Sequence, residues 1–194
     1  IRDRSPSRGL GDVYKRQLVK GVEQTITVNG IDYTVSTQND RAELVYRLDT
    51  SGLITFSRTS GSIIVKGDMN KKHNVTIKEG ITFYGGNKGD NIESIDATIY
   101  CGSGNNTLTL KHGDLVFCGS GNNTIKADSY CWIYGGSGVN NITLNGTLNN
   151  VEAGSGTTNV TIKGYTNNVY GTSGNNTIVS NTAVSYTHLR AHET

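Results

Sequence analysis

Hydrophobic and polar positions alternate along most of the chain in short runs that are separated by turns rich in glycine and asparagine. Between residues 22 and 66 these runs read TITV, IDYTV, AELVYRL, LITFS and SIIVK, and NG, ND and SG dipeptides divide them. Alternation with a period of two, bounded by such turn residues, predicts β-strands. Residues 18–61 are therefore expected to form a β-rich lead-in or a set of irregular first coils.

Further along the chain, one glycine-rich turn recurs. The heptad CGSGNNT occurs at residues 101–107 and again at residues 118–124, and related copies bring the number to six. The copies begin, 16 to 18 residues apart, at Gly85, Cys101, Cys118, Gly135, Ala153 and Gly171. Self-similarity at a fixed period of this size is typical of a solenoid, in which each repeat forms one coil that stacks on the last.

The aligned copies share two columns of aliphatic residues. The column after the turn contains Ile92, Leu108, Ile125, Ile142, Val160 and Ile178, and the column before it contains Ile99, Val116, Ile133, Val151 and Val169. Because side chains on a strand alternate between its faces, the two columns predict a flattened coil with two inward-facing rows. The small residue that opens each copy is expected to point inward at the bend. The predicted fold is all-β, a parallel β-solenoid of about 17 residues per coil over residues 62–183.

Each coil needs two reversals of direction. In the recurring turn, glycine is expected to supply backbone conformations with positive φ, and asparagine is the next best residue for them. The second turn reads KHGD, KADSY, NGTLNN and KGYTNN in successive coils. Its variable length explains the drift of the repeat period.

The two ends of the chain resemble translated nucleic-acid adaptors. Residues 12–17 (DVYKRQ) and 184–194 (VSYTHLRAHET) back-translate, in opposite orientations, to a transposase adaptor used in sequencing libraries. We therefore interpret residues 1–17 and 184–194 as adaptor-derived rather than native. The whole chain carries 18 basic and 16 acidic residues, whereas residues 18–183 carry 12 and 13. The basic excess thus belongs to the flanks, so binding to nucleic acid is not expected. No apolar run approaches the length of a membrane span, so membrane insertion is not expected either.

The recurring turn resembles the nonapeptide G-G-x-G-x-D-x-U-x of the RTX, or haemolysin-type, calcium-binding β-roll. The copy at residues 135–142 fits this pattern except that Asn140 replaces the acid, and the copy at residues 85–92 keeps the acid as Asp90 but has Lys88 in place of a glycine. The resemblance covers about residues 74–182. It implies calcium held between turns at the motif column, which comprises Asp90, Asn106, Asn123, Asn140 and Asn176, with Thr158 also in register.

Asparagine in the motif column changes the expected chemistry. Aspartates stacked about 4.8 Å apart would repel each other by roughly 1 kcal/mol per neighbour in water, and a dication removes that cost. Asparagine carries no charge, and stacked amides can form a hydrogen-bonded ladder along the axis. The sequence therefore favours a ladder that needs no cofactor, with weak Ca²⁺ binding as the alternative.

An aromatic column immediately precedes the turn. It contains Tyr84, Tyr100, Phe117, Tyr134 and Tyr170, with Glu152 at the remaining position. Alternation places these side chains on the outer surface. Two interpretations are open: a stripe that stacks on an extracellular glycan or protein surface, or a ladder in which each ring covers the next.

Other reactive side chains give weaker signals. Cys101 and Cys118 share an inward column, which favours buried free thiols over a disulfide. Cys131 has no obvious mate, and a zinc site that included His112 would lack the usual ligand spacing. The acids Asp96, Asp114, Asp128 and Glu152 are scattered across the register, and neither His73 nor His112 has an evident acidic partner. We therefore expect no enzyme activity.

These observations favour a structural function. We expect a display segment of a secreted or cell-surface bacterial protein that resembles RTX-like adhesins. Its expected partners are other domains of the same long chain and an extracellular glycan or protein surface. The first alternative is a calcium-binding module that folds on secretion, and the second is a polysaccharide-active β-helix enzyme.

Overall fold

The structure, a computed structural model, describes residues 12–182 and 186–188 of the 194-residue chain. Within this part the fold is all-β, without a helix, and twenty strands form two ten-stranded sheets. Sheet A has the order β1 (Val13–Leu18), β4 (Ala42–Leu48), β5 (Ile54–Ser60), β7 (Asn74–Ile77), β9 (Asn91–Ser94), β11 (Thr107–His112), β13 (Asn123–Ser129), β15 (Val139–Leu144), β17 (Thr157–Ile162) and β19 (Asn176–Ser180). Sheet B has the order β2 (Gln24–Val28), β3 (Ile31–Thr37), β6 (Ile63–Gly67), β8 (Ile81–Tyr84), β10 (Thr98–Tyr100), β12 (Leu115–Phe117), β14 (Trp132–Tyr134), β16 (Asn150–Glu152), β18 (Asn168–Tyr170) and β20 (Tyr186–His188).

Each coil contributes one strand to each sheet, and neighbouring coils pair in parallel. Leu108 pairs with Ile125 in sheet A, and Val116 pairs with Ile133 in sheet B. These are the two columns expected from the aligned repeats, and both are buried except at Ile178, which is partly buried. The predicted parallel β-solenoid and its register are therefore confirmed.

The interior contains a third row that the sequence did not reveal. It lies two residues beyond the first column in sheet A and contains Ser94, Leu110, Ala127, Leu144 and Ile162, all buried. The small opening residues Cys101, Cys118 and Ala153 are also buried at the bend, as expected. Stacking buries these rows continuously, because no single coil can cover its own inner face.

The lead-in forms an antiparallel cap on the first coil. In sheet A β1 pairs with β4 and β4 with β5, while in sheet B β2 pairs with β3 and β3 with β6. Asn29 and Gly30 join β2 to β3, and both have positive φ, as a tight hairpin turn requires. Parallel pairing begins where Ile54 on β5 meets Val75 on β7.

Part of the adaptor-like flank lies in the described region. Residues 13–17 form most of β1, and this strand pairs antiparallel with β4 at the edge of sheet A. Leu18, at the end of the strand, is buried. The remainder of both flanks, apart from the backbone of β20, lies outside the described residues.

The recurring turn requires glycine for a different reason from the one expected. Of the glycines in that turn, only Gly89 and Gly102 have positive φ. At Gly119 and Gly136 a Cβ atom would overlap the carbonyl oxygen of a glycine in the preceding coil. The expectation that these glycines supply positive φ is therefore wrong for most coils, where the close approach of stacked backbones requires glycine instead.

Candidate functional site: polar ladders and an aromatic column

The motif column forms a hydrogen-bonded ladder of asparagine amides, which we call the first ladder. Asn106 Nδ2 donates to Asn123 Oδ1 at 2.8 Å, and Asn123 Nδ2 donates to Asn140 Oδ1 at 2.9 Å. The three side chains are buried. The asparagine ladder predicted from the repeats is therefore confirmed for these coils.

The same amides also bind the turn backbone. Asn106 Nδ2 donates to the carbonyl oxygen of Gly104 at 2.7 Å, and Asn123 Nδ2 donates to that of Gly121 at 2.9 Å. Backbone carbonyls and the motif side chain are the oxygen atoms that the β-roll resemblance assigns to calcium. In these two coils, amide hydrogens from the protein occupy those acceptors.

The first ladder is interrupted at Thr158. The column continues to Asn176, as expected, and Asn176 Nδ2 donates to the Gly174 carbonyl at 2.9 Å. However, Thr158 Oγ1 and Asn176 Oδ1 are both buried without a hydrogen-bond partner among the described residues. The last two positions of the column therefore keep two unsatisfied oxygen atoms.

At the other end of the column, Asp90 pairs with His73. Asp90 Oδ1 lies 2.8 Å from His73 Nδ1 and accepts a hydrogen bond from the His73 backbone N at 2.8 Å, while Oδ2 accepts from Gly86 N at 3.2 Å. Both side chains are fully buried. The expectation that His73 lacks an acidic partner is therefore wrong. His73 precedes Asp90 by one coil, and a search at the repeat spacing would have found the pair.

Tyr33 of the cap closes over this pair. Its ring centroid lies 5.4 Å from that of His73, and the His73 ring lies 5.9 Å from that of Phe83. Burial, followed by the nearby Asp90 charge, raises the pKa of Tyr33 well above its ordinary value. The tyrosine hydroxyl therefore stays protonated, and the carboxylate is held between the cap and the first coils.

A second ladder, not found from the sequence, lies in the other turn. Asn149 Nδ2 donates to Asn167 Oδ1 at 3.0 Å, and Asn149 Oδ1 accepts from Cys131 N at 2.9 Å. Asp114 is in the same column, and its Oδ1 accepts from Ala97 N at 3.1 Å. Burial raises the pKa of the Asp114 carboxyl to about 6. The NN pairs at the same place in NGTLNN and KGYTNN, two turns of equal length, were the available signal, but KHGD and KADSY do not repeat them.

Among the described side chains, His112 and the three cysteines do not form a metal centre. His112 Nδ1 lies 2.9 Å from Asp96 Oδ1, so the expectation that His112 lacks an acidic partner is also wrong. The three cysteines are buried and free, as favoured from the sequence. Contact with the Cys118 thiol and burial hold the pKa of Cys101 above its ordinary value. Within residues 12–182, no group of three His, Cys, Asp or Glu side chains is arranged to hold a metal ion.

The aromatic column lies on the outer face of sheet B, and four of its rings form a continuous stack. Ring centroids are 4.6 Å apart between Tyr84 and Tyr100, 4.8 Å between Tyr100 and Phe117, and 5.0 Å between Phe117 and Tyr134. Neighbouring planes lie within 9° of each other. Each ring therefore covers the face of the next and presents its edge outward.

The stack ends where Glu152 replaces a ring, and Tyr170 lies beyond it. A second outward column runs beside it and includes Leu115 and Trp132, of which Trp132 is 52% exposed. Sequence reasoning missed Trp132 because that column has no repeated residue type. Around Glu152 the outer face of sheet B therefore combines aromatic rings with one carboxylate.

Comparisons of the chain with protein-family models, with curated proteins and with solved structures gave no significant match. Among the described residues there is no helix of the length and apolarity needed to cross a membrane. The fold itself, a parallel β-solenoid, is compatible with a β-roll repeat.

Proposed function

We propose that this chain is a structural segment of a secreted or cell-surface protein of the adhesin type, a β-solenoid rod that spaces or displays other domains of the same long chain. The observation that carries this proposal is the first ladder, in which Asn106, Asn123 and Asn140 bind one another directly. Coils joined in this way are held by hydrogen bonds and apolar rows, which suits a permanent spacer.

The charge pattern of the motif column supports the same function. A β-roll that folds on calcium needs acids whose mutual repulsion keeps it open without the metal. Here the three central positions are neutral, and the one acid, Asp90, is engaged by His73. The motif column therefore carries a single acid, which is hydrogen-bonded within the protein, rather than a stack of charges.

A calcium-binding module is the second candidate. Thr158 Oγ1 and Asn176 Oδ1 are buried oxygen atoms without partners in the motif column, and oxygen atoms are the ligands that Ca²⁺ prefers. This observation favours a weak site at the last coils, next to the interruption of the first ladder. Such a site would add stability to those coils without controlling the folding of the whole chain.

Circular dichroism of the full chain in EDTA tests the structural proposal. We expect β-structure in EDTA and a change of less than about 3 °C in Tm when millimolar calcium is added, because hydrogen bonds of the first ladder join the coils without a metal. The triple variant Asn106→Asp, Asn123→Asp and Asn140→Asp should lose stability in EDTA and regain it with calcium, since it stacks three buried charges.

The matched control is the triple variant Asn105→Asp, Asn122→Asp and Asn141→Asp, which places three charges on exposed positions of the same coils. It should behave like the unmodified protein in both buffers. A disordered chain in EDTA that folds on calcium addition would overturn the structural proposal in favour of the calcium-triggered module.

A further inference from the structure

The aromatic column has a gap the size of one ring. Parallel register places Glu152 between Tyr134 and Tyr170, at the position that a ring occupies in each of the four preceding coils. The stacked rings below the gap are 4.6 to 5.0 Å apart. Two coil spacings of about 4.8 Å separate Tyr134 from Tyr170, so a flat group inserted midway would have the spacing already seen in the stack.

The gap is part of a small cleft with a mixed lining. The cleft has a volume of about 60 Å³, and its side walls include Trp132 and Asn150 from the adjacent outward column. A cleft one ring thick suits a small flat group. Trp132 is 52% exposed and Tyr170 42% exposed, so the cleft is accessible from solvent.

The charge of the cleft indicates which kind of chemical group it binds. Glu152 is exposed, and its carboxylate has no hydrogen-bond or ion-pair partner among the described residues. A carboxylate beside aromatic rings favours a cation, and the faces of tryptophan and tyrosine attract cations further. Of the two basic side chains, arginine stacks flat on aromatic rings and pairs with a carboxylate through two parallel hydrogen bonds, whereas lysine does neither.

We propose that this cleft, which we call the Glu152 gap, binds the guanidinium group of an arginine exposed on a protein partner. The guanidinium inserts between the positions of Tyr134 and Tyr170, parallel to the rings, and pairs with the Glu152 carboxylate. Trp132 lines one side of the cleft. The outer face of sheet B thus carries a specific docking point for an arginine at the coil where its aromatic stack is interrupted.

Tryptophan fluorescence tests the Glu152 gap directly, because Trp132 is the only tryptophan in the chain. L-argininamide is titrated into the full chain, with the neutral isostere L-citrullinamide and with L-lysinamide as controls. We expect a saturable shift of the emission with an apparent Kd of about 1–10 mM for argininamide, given that the site offers one ion pair and a stacking contact on each face of the guanidinium. Citrullinamide should bind at least tenfold more weakly, and lysinamide several-fold more weakly.

Three variants make the assignment specific. Glu152→Gln keeps the shape of the gap and should weaken argininamide binding at least fivefold. Glu152→Tyr fills the gap with a ring and should abolish binding while raising Tm, because it completes the stack. Glu93→Gln removes an exposed carboxylate from the outer face of sheet A and should leave binding unchanged.

Several outcomes would overturn the proposal. Equal affinity for argininamide and citrullinamide, or an unchanged affinity in Glu152→Gln, would show that the carboxylate does not bind the ligand. Equal affinity for lysinamide would show that no flat group is stacked. None of these results depends on the structural role of the solenoid, so the two proposals fail or stand separately.

Discussion

Thr158 occupies a position that asparagine holds in the three preceding coils and again in the next one. Its hydroxyl oxygen is buried without a partner, and so is Asn176 Oδ1 one coil further. A buried polar atom left without a hydrogen bond costs about 1–3 kcal/mol. At the residue scale, the first ladder is therefore weakest at its own interruption.

Thr158→Asn should repair this interruption. The new amide can accept from Asn140 Nδ2 and donate to Asn176 Oδ1, so we expect the free energy of unfolding to rise by about 1 kcal/mol and Tm by about 2–4 °C. Thr158→Val is the control, since it removes the unpaired hydroxyl without joining the ladder. Thermal denaturation that gives the same Tm for both variants would contradict the proposed hydrogen bonds.

Asp114 makes the stability of the fold depend on pH. Burial raises its pKa from 3.8 to about 6, so between these values the folded state binds more protons than the unfolded state. Stability contributed by the protonated carboxyl is therefore present below about pH 4 and lost as the pH rises through 6, a loss of about 2–3 kcal/mol.

Asp114→Asn removes this titration and keeps an oxygen that can accept from Ala97 N. Urea denaturation should show the variant more stable than the unmodified protein by about 2 kcal/mol at pH 7.5, and nearly equal to it at pH 4. A difference that is the same at both pH values would show that Asp114 does not titrate between them.

At the scale of the elements, the two turns of each coil are under different constraints. Core residues that flank the first turn are separated by the same number of positions in every coil, as Ile99 and Leu108 are. Those that flank the second turn are seven positions apart at Ile92 and Ile99 but nine apart at Ile142 and Val151. Stacked glycine backbones fix the first turn, since an added side chain would overlap the coil before it.

A new negative charge should destabilise the protein far more on the inner face of a strand than on the outer face. Ile133 on β14 is buried in the interior, whereas Lys126 on β13 is exposed. Ile133→Asp should lower the free energy of unfolding by about 4 kcal/mol or more, because the buried carboxylate has no partner. Lys126→Asp should change it by less than about 1 kcal/mol. Equal losses in urea denaturation would contradict the assignment of Ile133 to the inner face.

Across the whole molecule, the sequence predicts the positions of residues that recur at constant spacing from one coil to the next. The column that contains Ile99 and Val116 could be found because the first turn has constant length and the core residues on either side of it are aliphatic in these coils. The pairing of Asn149 with Asn167 was less evident, because its NN pair occurs in NGTLNN and KGYTNN but not in the other second turns, KHGD and KADSY. The inner row at Ser94 was hidden by its mixture of polar and apolar residues. The sequence also could not show why each turn contains glycine, since close approach of stacked backbones and a positive φ both require that residue.

The site residues follow the same rule. The first ladder was predictable because its asparagines belong to the repeated turn. His73 stands before the first aligned copy, but it precedes Asp90 by one repeat of 17 residues, so a search at that spacing would have found the contact. The interruption at Glu152 was visible in the sequence, but its meaning depends on the ring spacing of the neighbouring coils.

Stacking in which each coil touches only its neighbours also determines how the rod responds to tension along its axis. The interfaces between coils then carry the load in series, and the coil with the weakest interface separates first. Peeling one coil of about 17 residues releases roughly 55 Å of extended chain in place of a 4.8 Å rise. Such a segment would yield stepwise under force, lengthening by one coil at a time while the coils still stacked remain folded.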